Sequence, residues 1–171
     1  MFRNTSDIVE NIAGKISRYQ RPYVKDAQTL LKDTGQCTRG EVPIDIDFIL
    51  KKSKLQNSLS HQANWDFWSG LIEKYELPKY GPNLAIDEKL QRYSSCLLLG
   101  VFHYEFLIDI AKFDNDSIYN AAFAYASDLL CPQNIIKDMM MRKTPIEEIS
   151  ETLKAPVECV KYSLAKAINN L

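Results

Sequence analysis

Arg92-Tyr93-Ser94-Ser95-Cys96-Leu97-Leu98-Leu99-Gly100-Val101-Phe102-His103-Tyr104-Glu105 decides how this chain is read. Cys96, Leu97, Leu99, Gly100, Val101 and Phe102 leave almost no polar face, so the stretch predicts a helix buried on all sides. Its surroundings extend the helix over residues 89–112. Asp114-Asn115-Asp116-Ser117 then supplies turn and cap residues. Ile118, Ala122, Tyr125 and Leu129 recur at helical spacing along one face of a second helix, which ends before Pro132.

The first stretch resembles the metal-binding helix of the ImmA/IrrE family of zinc peptidases, whose pattern is roughly Arg-Phe-x-x-Ala-His-Glu-x-Gly-His. Arg92 and Tyr93 match its opening, Cys96 its small residue and Gly100 its glycine. The two metal histidines fall on Leu97 and Val101, and the general-base glutamate falls on Leu98. Downstream, Ala121-Ala122-Phe123-Ala124-Tyr125-Ala126-Ser127-Asp128-Leu129-Leu130-Cys131-Pro132 is similar to the family phrase that supplies the third ligand. That ligand's position holds Ala121.

Zinc requires nitrogen, sulfur or oxygen donors, and a catalytic site commonly has three protein ligands plus water. In HExxH the histidines at i and i+4 share a helix face, and the glutamate activates the metal-bound water. Leucine, valine and alanine have no lone pair to donate. The resemblance therefore implies a scaffold without catalytic residues, metal or other cofactor. His61 and His103 are the only histidines of the chain, which excludes a displaced two-histidine helix motif. Glu105 and Asp109 share a face at i, i+4 and read as a solvated edge. Neither Ser69 nor Ser127 has a histidine in a recognisable nucleophile pattern.

With 171 residues, 46% hydrophobic and 25% charged, the chain has the composition of a globular protein able to bury a core. Its net charge of −1 excludes a global pull toward nucleic acid or anionic membrane. The distribution is uneven: 1–40 hold seven Lys/Arg against four acids, 41–132 eight against thirteen, and 133–171 six against five. Cys37, Cys96, Cys131 and Cys159 form no CxxC pair, and Cys96 and Cys131 read as small buried hydrophobes. The amino terminus shows no signal-peptide pattern and no apolar run approaches a membrane span, so the expected localisation is cytoplasmic.

Residues 7–33 predict helix interrupted at Pro22, with Val24, Ala27, Leu30 and Leu31 in its second segment and a stop near Gly35. Asp45 is placed to cap a following helix whose buried face begins with Phe48 and Ile49. Residues 66–75 and 83–87 predict two strands around a Pro78–Pro82 turn, with 55–59 a weaker candidate. Trp65 and Trp68 read as packing residues of that sheet, with a binding surface the alternative. The family has the same order of a short Pro-Val-Asp-Val-like phrase, strands and metal helix, and Pro43-Ile44-Asp45-Ile46 resembles that phrase. The expected fold is therefore α+β, mostly helical, with a small antiparallel sheet packed on a degenerate zincin-like helix.

The carboxyl end predicts a helix-turn-helix-like pair. Thr144-Pro145 with Glu147 has the form of a capping box, followed by Ile146, Ile149 and Leu153. Pro156 opens a second helix with Val157, Val160, Leu164 and Ile168 inward. A DNA-binding version would present Glu158, Lys161 and Tyr162 to the major groove. Near-neutral charge, and a glutamate facing phosphate, favour a structural or protein-docking pair instead. The expected organisation is a pseudo-peptidase domain over 1–132 and a helical subdomain over 133–171. Active ImmA/IrrE proteins of bacteria, phages and mobile elements cleave helix-turn-helix repressors of the XRE type. The resemblance, which spans about residues 25–165, implies a non-catalytic anti-repressor or immunity regulator that binds such a repressor stoichiometrically. A DNA-binding regulator and a toxin–antitoxin component are the alternatives.

Overall fold

The computed structural model describes residues 24–36, 40–52, 88–107 and 115–170. Among them are seven helices: α1 (Ala27–Asp33), α2 (Ile46–Lys52), α3 (Glu88–Leu107), α4 (Asn115–Leu130), α5 (Gln133–Met141), α6 (Ile146–Leu153) and α7 (Val157–Asn169). No strand occurs among the described residues, which are mostly helical, so the expected α+β architecture is corrected to a helical one over these residues. The segments 55–59, 66–75 and 83–87 on which strands were expected lie outside the described residues, as do Trp65, Trp68 and the Pro22 break. Among the described residues, what packs on α3 is helical: chiefly α4, and α2 more lightly. An all-apolar helix is satisfied equally by a sheet or by other helices, and its periodicity does not distinguish them.

The two short helices at the start are closed by local chemistry. Asp26 caps α1, accepting hydrogen bonds from the Thr29 N–H at 3.0 Å and the Thr29 hydroxyl at 2.7 Å. Those bonds hold its carboxyl below the usual aspartate range. Val24, Ala27, Leu30 and Leu31 are all buried, and the helix stops at Gly35, where φ is +70°. The Asp45 carboxylate accepts from the Phe48 N–H at 2.9 Å, as a cap should. The inward face of α2 is Ile46, Ile49 and Leu50. Phe48, expected inward, is 40% exposed and lies beneath Lys52 Nζ, 5.8 Å from its ring centroid. A four-residue periodicity in a helix of two turns leaves the exact edge of the buried face undecided.

Gly100 explains how closely α3 and α4 approach. A Cβ there would stand 2.9 Å from the Ala122 Cα, 3.0 Å from its carbonyl oxygen and 3.1 Å from the Tyr125 Cβ. The helices are therefore in backbone contact at this turn, with Cys96, Leu97 and Leu99 of α3 and Ala122, Tyr125, Ala126 and Leu129 of α4 buried. Each large apolar side chain among them contributes about 1.5–3 kcal/mol.

Helices α5, α6 and α7 continue the same core. Helix α7 packs on α4, α5 and α6. The capping box expected at Thr144 and Glu147 does not form: Pro145 occupies the N-cap position, without any side-chain cap bond. That shift sets the Thr144 hydroxyl one residue too far from the free N–H groups. Lys154 ends α6 in the left-handed region, with φ 49° and ψ 48°. The buried stripe of α7 is Cys159, Val160, Ser163 and Ala167, whereas Ile168, expected inward, is 58% exposed. Small and polar residues fit this close seam, which a search for branched aliphatics passes over.

Candidate functional site

Helix α3 carries three of the four positions on which the expected resemblance would lay zinc ligands and general base. Leu97 has no exposed surface and belongs to the largest fully buried side chains. Leu98 and Val101 lie on the same helix, with side chains outside the described residues. Ala121 is half-buried on α4, beside the Ala122 that meets Gly100. The structure thus brings the Leu97 and Ala121 helices together, and it fills the seam between them with hydrocarbon and backbone. No group of three or more His, Cys, Asp or Glu side chains among the described residues is arranged to hold a metal.

His103, one turn beyond Gly100, has a structural task. Its Nδ1 lies 2.7 Å from the Val24 carbonyl oxygen, which requires an Nδ1–H donor. Its ring leans on Tyr125 at a centroid distance of 5.3 Å, and the Tyr125 hydroxyl donates to the Lys25 carbonyl at 2.7 Å. Two successive carbonyls ahead of α1 are thereby tied to α3 and α4. His61, Ser69 and Asp109 lie outside the described residues, and so does the Glu105 side chain.

The opening residues of the same helix hold the carboxyl-terminal pair. Lys89 donates to the Ser150 hydroxyl at 3.1 Å and pairs with Glu151. That ammonium, together with the Lys154 Nζ 3.7 Å from the same carboxylate, holds the Glu151 carboxyl below its usual range. Arg92 Nε donates to the Lys154 carbonyl at 3.2 Å, at the left-handed turn itself. A cation at the carbonyl end of α6 also complements the helix dipole. Ser150 spans the turn from inside, donating to the Ala155 carbonyl at 2.7 Å. This clamp crosses more than sixty positions of sequence, and no local pattern signals it.

The three residues of the possible DNA-reading face are not equivalent. Glu158 and Lys161 are exposed on α7. Tyr162 is half-buried, with its ring edge-on to Phe123 at 5.4 Å, and Phe123 in turn meets Tyr93 at 6.3 Å. Tyr162 is thus part of an aromatic row that joins α7, α4 and α3. Around the pair, Glu147, Glu148, Glu151 and Glu158 are all exposed. Phosphate binding needs cations at such positions.

The described thiols are interior. Cys96, Cys131 and Cys159 are free and fully buried. Burial pushes all three thiols up, Cys159 to about 12, so none supplies a thiolate nucleophile near neutrality. Ser127 lies one turn before Cys131, and Cys159 one turn before Ser163. The Ser127 and Ser163 hydroxyls are buried with these thiols and have no hydrogen-bond partner among the described residues. Lys166 closes the outer edge of the seam, donating to both Asp128 carboxylate oxygens at 2.8 and 2.9 Å.

No family model, curated protein or solved structure matches the chain significantly. No helix among the described residues is long and apolar enough to cross a membrane.

Proposed function

We propose that this chain is a non-catalytic regulator that works by binding a protein, on a scaffold similar to that of the ImmA/IrrE peptidases with the metal chemistry replaced. The observation that carries this reading is the closed seam at Leu97, Gly100 and Ala122. Leu97, where the resemblance would lay the first ligand, is fully buried, and the neighbouring helices touch through their backbones one turn on. The partner that fits the resemblance is a basic helix-turn-helix repressor of the XRE type, held stoichiometrically in the manner of a phage or mobile-element anti-repressor. The acid excess over residues 41–132, thirteen against eight Lys/Arg, favours a basic protein over DNA, since complementary charge speeds encounter and rejects like-charged partners. The engagement of Tyr162 with Phe123 weighs in the same direction.

The test is an affinity pull-down of the tagged protein from its native host, with nuclease added and bound proteins identified by mass spectrometry. Enrichment of an XRE-type repressor at near-equal stoichiometry is the expected result. Recovery of DNA alone when nuclease is omitted, with a salt-dependent gel shift by the pure protein, would overturn it in favour of a DNA-binding regulator that uses Glu158, Lys161 and Tyr162. Capture of a cognate toxin would instead place the chain in a toxin–antitoxin pair.

A further inference from the structure

We draw no further inference here: the strongest candidate, the buried cluster of Ser127, Cys131, Cys159 and Ser163 in the seam between α4 and α7, is closed to solvent, and nothing in the structure shows a ligand or reactant that would reach it.

Discussion

Gly100→Ala isolates the α3–α4 contact from every other property of the helix. Within an isolated helix the change is favourable by about 1 kcal/mol, because alanine loses less backbone entropy than glycine. Here the new methyl would lie 2.9 Å from the Ala122 Cα, and the ordinary contact range begins at 3.4 Å. The helices must therefore part locally by about 0.5 Å, and the obstructing atoms are backbone, which no rotamer change can move. A gap of that size forfeits about a quarter of the dispersion energy along the opened contact. Overpacking of this kind costs about 1–3 kcal/mol. Subtracting the propensity gain from the upper part of that range leaves a net loss of about 1–2 kcal/mol. For a chain of this size that lowers Tm by about 2–8 °C. Thermal unfolding followed by far-UV circular dichroism would measure it. A Tm equal to or above that of the parent would refute the close approach, since only the propensity gain would then be acting.

Lys154→Gly should stabilise by about 1 kcal/mol, because lysine at φ 49° carries a left-handed penalty that glycine lacks. The exposed pair that Lys154 makes with Glu151 is worth little against that gain, and urea unfolding would read the sign. Leu97→His should destabilise by about 2–5 kcal/mol, combining lost apolar burial with an unsatisfied buried ring. Zinc should not restore its Tm, and restoration would reveal donors that the packed seam does not offer. Asp26 has a depressed carboxyl pKa in the folded chain, so its contribution is present above the unfolded value of about 3.9 and is lost as pH falls through the lower folded value. The contribution is small because the group is largely exposed. Asp26→Asn should flatten the acid limb of a stability-versus-pH curve below about pH 4, with the midpoint at neutral pH slightly lowered; an unchanged acid limb would show that the cap does not hold the carboxylate.

Much of the helical framework was legible from local pattern. The burial of Val24, Ala27, Leu30 and Leu31, the stop at Gly35, the Asp45 cap and the Ala122–Tyr125–Leu129 face all follow from spacing and cap chemistry. These features depend on residues within a few positions of one another, where helical periodicity and hydrogen-bond reach leave little freedom. Cap register at Thr144 failed because a proline competes with threonine for the N-cap. On α7 the expected Val160 is buried and Leu164 packs against the core, but Ile168 is exposed, and Cys159, Ser163 and Ala167 complete the stripe because a tight seam selects small residues.

Residue identities alone determined that Leu97, Leu98, Val101 and Ala121 offer no metal donor, because the chemistry of a side chain does not depend on the fold. They also predicted burial for the Arg92-to-Glu105 helix, of which Tyr93, Cys96, Leu97, Leu99, Gly100 and His103 are buried. Only the tertiary structure decided what packs on it among the described residues: helix α4, drawn into backbone contact at Gly100. It likewise assigned Lys89 and Arg92 to clamping the α6 turn, His103 to tying down the chain ahead of α1, and Tyr162 to an aromatic row. Each of those roles joins residues far apart in the chain. Hydrophobic periodicity records that a face is covered and carries no label for its partner, so such pairings exist only once the helices have packed.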